Sequence, residues 1–337
     1  MNRTYKLFSL ACIIMLLTMT LISGCDRAGQ NEEGPKTIIL AHAMHLTHPV
    51  TVAMERMAEY VEENSNGELL IKIYPTQQLG SERELLELVQ IGTIGMTKIS
   101  GAVLENIVPA IRAFSLPYLF RDDEHMEKVL WEHELGEELL LEGEKYRLRG
   151  IAYYDAGERS FYTKDRPINS PDDLAGMKIR VQPSVMAMNL IRTFGGSPTP
   201  LSYGELYTAF QGGIVDGAEN NPPSYYTSRH YEVTNYYVIN EHTAVPDFLV
   251  IGTRVWNSLT DQEKQWLQQA VDESVEYQRK LWRESVEESM QVVRDAGVEV
   301  IYPDKELFRE RVQPIYDQIQ QDDPELYKWV ERIRQVE

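Results

Sequence analysis

The chain has 337 residues, and 33 lysines and arginines stand against 52 aspartates and glutamates, which gives a net charge of −19 at pH 7. This acidic excess argues against nucleic acid or an anionic lipid surface as a partner, because both are polyanions. With only two cysteines, Cys12 and Cys25, the protein is not a disulfide scaffold, and its stability must come from a hydrophobic core.

The first 25 residues have the features of a targeting segment. Two basic residues precede a mostly apolar stretch, residues 7–21, and the sequence LISGC then ends at Cys25. This pattern predicts a removable signal peptide, residues 1–24, rather than a membrane span. The LISGC segment has the pattern of a lipobox, so cleavage before Cys25 would let its thiol carry a diacylglycerol. An ordinary signal peptide followed by an incidental cysteine is the alternative.

The segment that follows, residues 25–35, is polar and contains glycine and proline. It is expected to be a flexible tether between a lipid and the folded domains. Because Cys12 is removed with the signal peptide, the mature chain would retain one cysteine and could form no internal disulfide.

Residues 37–92 alternate between strand and helix patterns. Strands are predicted at residues 37–41 and 69–74, and helices at residues 50–64 and 81–92. The second helix begins with a capping box. This alternation predicts an α/β fold with a parallel sheet covered by helices, in which ligands bind beyond the carboxyl ends of the strands.

The loop after the first strand carries three histidines, His42, His45 and His48. Three imidazoles within seven residues could coordinate zinc, although no acidic ligand is obviously paired with them. A polar contact between His48 and a ligand is a second interpretation, and a structural role is the third. The residue pattern leaves all three open.

The rest of the chain continues the α/β pattern. Further strands are predicted at residues 148–154, 177–181, 236–239, 248–252 and 298–302. Further helices are predicted at residues 122–130, 134–141 and 202–211, with a long helix from Thr260 to Ala296 and two short helices after the last strand. A polar corner is predicted at residues 240–242.

These elements predict two domains. The strand at residues 248–252 is expected to rejoin the first sheet, and the chain is expected to change domain near Ala156. Domain I would then comprise residues 36–155 plus about 244–282, and domain II residues 156–243 plus about 283–337. The long helix exceeds the usual length, so it is expected to span both domains with a bend.

Two arginines lie at strand ends, where they could receive an anion. The alternation in residues 177–181 places Met177, Ile179 and Val181 on one face and Arg180 on the other. A guanidinium at the edge of a loop suits a carboxylate, because its planar fork donates two parallel hydrogen bonds. Arg159, in the turn after residues 148–154, has the same potential. A solvated strand arginine is the alternative for each.

A run of amides and prolines, Asn220-Asn221-Pro222-Pro223, follows a predicted turn at Asp216. Asparagine side chains held on a rigid turn could fix the orientation of a polar ligand.

Several motifs in order resemble one family. They are DL-x-G-x-KIRV, G-x-SPTP, E-x-Y-x-A-x-Q, VDGAENN and HYEV between residues 173 and 233, preceded by YP-x-x-QLG from Tyr74, LPYLF from Leu116 and G-x-R ending at Arg159. Together they resemble substrate-binding subunits of TRAP transporters, the DctP family, over nearly all of the chain after residue 36. The resemblance implies a two-domain fold like that of periplasmic binding proteins, with a central cleft, hinge strands and a domain-spanning helix.

The resemblance also implies a ligand site and its ligand class. Arg180 would form the main bidentate pair with a ligand carboxylate, and Arg159 and Asn220 would provide the remaining polar contacts to the ligand. Tyr203, Glu82 and Ser100 would line the pocket. Sialic-acid-binding relatives carry an acidic residue where this chain has Ser100, which argues against that ligand. The segments AENNPPSYY and YQRKLW resemble the branch that binds sugar acids such as uronates; a C4-dicarboxylate is the alternative ligand.

The resulting prediction is a substrate-binding protein, not an enzyme, that is monomeric and carries no cofactor. It would be extracytoplasmic, anchored to the membrane only by its N-terminal lipid, and it would deliver a small organic acid to TRAP membrane subunits. The sequence contains no Gly-x-Ser-x-Gly elbow, P-loop or dinucleotide fingerprint. Two other functions stay open, a ligand sensor for a membrane kinase and a metal-binding lipoprotein built around the three histidines.

Overall fold

The computed structural model describes residues 34–337, in which the strands form two sheets. The first sheet has the order β2-β1-β3-β10-β4 and the second the order β11-β9-β5-β8-β6-β7. The predicted signal peptide, Cys25 and most of the predicted tether lie outside the described residues. None of the helices in residues 34–337 is both long and apolar enough to cross a membrane.

The strands of the first sheet are β1 Lys36–Ala41, β2 Leu69–Tyr74, β3 Met96–Ser100, β4 Leu148–Tyr154 and β10 Asp247–Gly252. The strands of the second sheet are β5 Arg159–Thr163, β6 Lys178–Val181, β7 Ser197–Pro200, β8 Gly217–Asn220, β9 Tyr236–Thr243 and β11 Glu299–Ile301. Strand β10 lies antiparallel between β3 and β4, so the chain does return to the first sheet as expected. The exact domain boundaries stay a prediction.

The predicted site residues of the second sheet lie at the same end of its strands. Strands β6 and β8 are parallel, with Arg180 opposite Ala218, so the carboxyl ends of both strands lie there. Strand β5 runs the other way, with Ser160 opposite Asn220, and therefore begins there at Arg159. In α/β sheets, ligands bind in the crevice beyond the carboxyl ends of the parallel strands.

The α-helices are α1 Pro49–Asn64, α2 Glu82–Ile91, α3 Gly101–Leu104, α4 Asp123–Glu127, α5 Glu134–Leu141, α6 Val185–Thr193, α7 Leu206–Gln211, α8 Pro222–Thr227, α9 Thr253–Ser258, α10 Asp261–Asp295, α11 Lys305–Asp322 and α12 Pro324–Gln335. Short 3₁₀ segments begin at Pro109, Glu144, Pro171, Tyr203 and His230, and a π-helical segment, Lys128–Glu132, continues α4.

The long helix α10 joins elements of both sheets. Thr260 and Glu263 form the predicted capping box at its start, and Gly297, at a φ of +90°, ends it in the left-handed region that favours glycine. The helix packs on α1 and β4, next to the first sheet, and on α8, which follows strand β8 of the second. This contact pattern agrees with the predicted brace between the two sheets.

Several elements differ from the sequence prediction. Strand β9 continues to Thr243, so the predicted polar corner at residues 240–242 lies within a strand. The turn expected to hold Asn220 is the buried strand β8, and only Asn221 caps a helix, α8. Strand β3 was not predicted. Helix α11 is 18 residues long, not short, and contains Pro314.

Candidate ligand-binding site

Arg180 is almost completely buried, with a relative exposure of 1%. Its Nε and Nη2 both donate to the carbonyl oxygen of Leu201, at 3.0 and 2.9 Å. Its Nη1 is also buried but has no hydrogen-bond partner in the part of the chain that the structure describes. The guanidinium carbon lies 5.9 Å from the centre of the Tyr203 ring. Burial lowers the pKa of Arg180 from its ordinary value, and Arg159 acts in the same direction.

None of the ion pairs of residues 34–337 involves Arg180, and Glu219, which favours the charged form of Arg180, is already paired with Arg159. A buried donor without an acceptor is costly unless a ligand supplies one. An anionic acceptor would therefore bind most favourably at Nη1 of Arg180.

Arg159 has a different environment from the one predicted. Its Nε and Nη2 donate to the two carboxylate oxygens of Glu219, Nη2 also to the Glu219 carbonyl, and Nη1 to Asn220 Oδ1 at 2.9 Å. Burial alone would raise the pKa of Glu219, but Arg159 and His242 outweigh it and hold that pKa at about 2. The three guanidinium nitrogens of Arg159 thus donate to groups of the protein itself. Arg159 therefore stabilises the site and is not available to bind a ligand carboxylate.

Asn220 connects this ion pair to the cleft. Its Oδ1 accepts from Arg159 and from the backbone nitrogen of Asn221, which fixes the amide so that its oxygen faces Arg159. Within the described residues no hydrogen bond is made by its Nδ2. The amide is therefore oriented as a donor, as a ligand-binding role requires.

Tyr203 is half-buried beside Arg180. Its hydroxyl donates to the carbonyl oxygen of Ser224 at 3.1 Å and lies 2.5 Å from Ser228 Oγ. It also lines an open cavity of about 180 Å³ with Gln77 and His230. Since the two hydroxyls position each other, the ring is held against the guanidinium and can serve as one wall for a ligand.

The first sheet contributes a buried group of charges that we call the Lys98 cluster: Lys98, Glu82 and Asp247. Lys98 Nζ lies 2.8 Å from Asp247 Oδ2 and 3.6 Å from Glu82 Oε1. The backbone nitrogen of Ser100 donates to Glu82 Oε1 at 3.3 Å. The family resemblance indicated Glu82 and Ser100 as pocket residues, but neither Lys98 nor Asp247. A lysine within the apolar strand MTKIS was the signal that could have found the first of them.

His48 lies at the cleft but uses both ring nitrogens on the protein. Its Nδ1 accepts from the backbone nitrogen of Val50 at 3.3 Å, so the proton resides on Nε2, which lies 3.1 Å from Ser224 Oγ. Burial lowers its pKa well below the ordinary value, which keeps the ring neutral. This geometry favours the structural interpretation of His48, in which it caps α1 and contacts α8.

The other two histidines do not join His48 at a common point. His42 accepts from the backbone nitrogen of Met44, and exposed His45 lies 3.4 Å from Thr47 Oγ1. Residues 34–337 contain no group of three or more histidine, cysteine or acidic side chains placed to hold a metal ion.

Direct hydrogen bonds cross from elements near the first sheet to elements of the second. Ser100 Oγ lies 3.3 Å from Gln182 Oε1, two residues after Arg180. Glu105, buried after α3, accepts from Ser184 Oγ at 2.6 Å and from the backbone nitrogen of Met186 at 3.2 Å. These bonds bring the end of β3, which carries Lys98, next to the end of β6, which carries Arg180, so we expect the Lys98 cluster and Arg180 to face each other across the cleft.

A larger cavity of about 490 Å³ lies elsewhere, between α10 and the connection from β4 to β5. Trp131, Asp155, Trp282 and Arg279 are among its lining residues, and it includes none of the predicted ligand contacts. We do not take this cavity as the ligand site, because none of the site residues identified by the family resemblance lines it and its Arg279 already pairs with Glu127.

The chain matches a family model and a curated relative over most of its length. The family model DctP, bacterial extracellular solute-binding protein, family 7, matches residues 40–323. The chain is 36% identical over 323 residues to the uncharacterized protein YiiZ of Salmonella typhimurium, covering 95% of this chain and 97% of that protein.

Two solved structures are similar in both fold and sequence. A TRAP periplasmic solute-binding protein from Xanthobacter autotrophicus, with bound β-D-galacturonate, has a TM-score of 0.85 and 38% identity, covering 89% of this chain and 100% of that chain. Another from Chromohalobacter salexigens, with bound D-glucuronate, has a TM-score of 0.86 and 34% identity, with the same coverage of 89% and 100%.

Proposed function

The chain belongs to the DctP family of bacterial extracellular solute-binding proteins and is the solute-binding protein of a TRAP transporter, and from that premise we propose that its cleft captures a uronate through Arg180. The protein binds the sugar acid outside the cytoplasm and releases it, chemically unchanged, to the membrane subunits.

One observation carries this proposal: Arg180 is buried, charged and not paired with a carboxylate of residues 34–337, and its Nη1 is without a hydrogen-bond partner. A ligand carboxylate would supply both the missing charge and the missing acceptor. Charge-assisted bonds between a guanidinium and a carboxylate are about twice as strong as neutral ones. Asn220 Nδ2 and the Tyr203 ring would add a donor and an apolar wall.

The choice of ligand rests on similarity and on the cleft. Structures 34–38% identical to this chain hold galacturonate or glucuronate. The site combines one unpaired guanidinium, that of Arg180, with hydrogen-bonding groups on Asn220 and Glu82, and a sugar acid has one carboxylate and several hydroxyls. A C4-dicarboxylate, which has two carboxylates and few hydroxyls, matches these groups less well.

A thermal-shift measurement tests the ligand class. We expect D-galacturonate or D-glucuronate to raise the melting temperature by several degrees, because a ligand at 100 times its dissociation constant adds about 2.7 kcal/mol of stability. Galactose and glucose, which lack the carboxylate, serve as matched controls and should give no shift. A shift with succinate or malate and none with any uronate would favour the dicarboxylate alternative.

We also propose that the mature protein is monomeric and is attached to the membrane through a lipid on Cys25. The support for the lipid anchor is the sequence LISGC at the end of the apolar segment. Replacing Cys25 by alanine should release the protein from the membrane fraction or leave an unprocessed precursor, because the acylated thiol is lost. Fractionation and mass spectrometry of the N-terminus measure this. Replacing Cys12, which also removes a thiol, is the control; a Cys25→Ala protein that stays lipidated and membrane-bound contradicts the anchor.

A further inference from the structure

We propose that the Lys98 cluster is a selectivity element, which favours hydroxyl groups and excludes a second carboxylate at the end of the ligand that faces away from Arg180. This inference rests on the proposed binding of a uronate, and it adds the reason why a sugar acid is preferred over a diacid.

The cluster is a built site in the first sheet rather than a chance surface pairing. Lys98 is 1% exposed and lies in the middle of β3, all of whose residues are buried. Asp247 begins the neighbouring strand β10 and Glu82 begins helix α2, so three separate elements converge on one ammonium. Lys98 contacts both carboxylates, at 2.8 and 3.6 Å.

The charges of the cluster do not balance. One ammonium faces two carboxylates, which leaves an excess of one negative charge when all three groups are ionised. Burial raises the pKa of Glu82, and Lys98 and the hydrogen bond from the Ser100 backbone oppose that rise. Burial lowers the pKa of Lys98, but Asp247 and Glu82 outweigh it, so the lysine remains a cation. Neither nearby histidine offsets the excess: burial, with Lys98, lowers the pKa of His42 to about 3 and that of His48 well below its ordinary value.

The excess charge determines which groups a ligand can place there. Carboxylate oxygens accept hydrogen bonds, so hydroxyl groups of a sugar can donate to Glu82. A second ligand carboxylate would instead meet a like charge at low dielectric, where Coulomb repulsion is much stronger than in water. Arg180, the unpaired cation of the facing side, is already needed by the first carboxylate. The two sides of the cleft therefore specify different chemical groups at the two ends of the ligand.

The alternative is that the cluster only holds β3, β10 and α2 together. A structural ion pair would change the affinity for every ligand by the same factor when it is weakened. A selectivity element would change the affinity for diacids relative to uronates. The ratio of the two affinities separates these roles.

The test uses Glu82→Gln in the full chain, with calorimetric titration of D-galacturonate and of the diacid galactarate, which has the same carbons and a carboxylate at C1. Because each ligand is compared with itself in two proteins, shape differences between the ligands cancel. We expect the preference for uronate over diacid to fall by about tenfold, or about 1.4 kcal/mol. Lys98 keeps Asp247 at 2.8 Å, so the variant should fold; Asp247→Asn, which removes the same charge, is the second variant.

Glu87→Gln is the matched control, because Glu87 lies exposed on the same helix and pairs with Arg83 at the surface. It should leave the ratio unchanged. An unchanged ratio in both Glu82→Gln and Asp247→Asn, with each ligand weakened equally, overturns the proposal and leaves the cluster a structural ion pair. If the wild-type protein binds no uronate at all, the proposed function fails instead, independently of these variants.

Discussion

Arg180→Ala is expected to weaken uronate binding by at least about 100-fold while leaving the unliganded protein folded. Separating the partners of a buried ion pair costs about 3–5 kcal/mol, and each 1.4 kcal/mol is a factor of ten in affinity. Two effects on the unliganded protein oppose each other: the carbonyl of Leu201 loses its donors, but a buried cation without a carboxylate partner is removed. The melting temperature without ligand should therefore change by only a few degrees.

Arg180→Lys tests the contribution of the planar guanidinium separately from that of the positive charge. It keeps a cation but cannot form two parallel bonds to one carboxylate, so we expect binding to weaken by about tenfold. Arg192→Ala, an exposed arginine on α6, is the control and should bind normally. Calorimetric titration with parallel melting curves provides both readouts. Binding by Arg180→Ala within about threefold of wild type would mean that another group holds the carboxylate.

Glu219→Ala is expected to be the most destabilising of the site substitutions. It leaves the Arg159 guanidinium buried without its carboxylate, and breaking a buried pair in this way typically costs about 3–5 kcal/mol. Removing both partners should cost less than the two single substitutions together, because the uncompensated charge disappears with its partner. Denaturant unfolding of the two single variants and the double variant measures the difference. Additive losses would show that the two side chains do not act as a pair.

The same pair predicts an acid dependence. The pKa of Glu219 is held at about 2 in the folded protein, below the ordinary 4.5, so its ionised form is favoured by folding. The stability that it contributes is present above about pH 4.5 and is lost as the pH falls toward 2. The difference between wild type and Glu219→Ala should shrink over that range. The exposed pair Arg229–Glu232 is the control, and Glu232→Ala should cost less than about 1 kcal/mol.

The parts of the fold that follow local pattern could be predicted from the sequence. Strand β4 and helix α5 have the predicted bounds, Leu148–Tyr154 and Glu134–Leu141, because each is a periodic apolar run with clear ends. Strand β8 could not be predicted in this way. It has four residues, GAEN, and it is a strand only because β5 and β6 pair with it on both sides. Tertiary pairing overrides weak local propensity in such short segments.

In the site, too, the features that follow local pattern could be predicted and those that depend on tertiary pairing could not. The alternation around Arg180 correctly places Ile179 and Val181 in the core, and it identifies the arginine as the side chain directed away from them. It does not indicate that Arg159 is paired, because Glu219 is 60 residues further along the chain. Lys98 and Asp247 are separated by 149 residues. Charge pairs of this kind are formed by topology, and spacing in one sequence does not contain them.

The bond between Glu105 and the start of α6 has a consequence for how tightly any solute is held. Glu105 and its partners Ser184 and Met186 belong to opposite sides of the cleft, and none of them needs a ligand to meet. We expect the cleft to close around its solute, and such contacts would then stabilise the closed arrangement of the empty protein and increase its population. The apparent dissociation constant is the intrinsic one divided by the closed fraction of the unliganded protein. Evolution could therefore adjust the solute concentration at which the transporter is supplied through residues that never touch the solute.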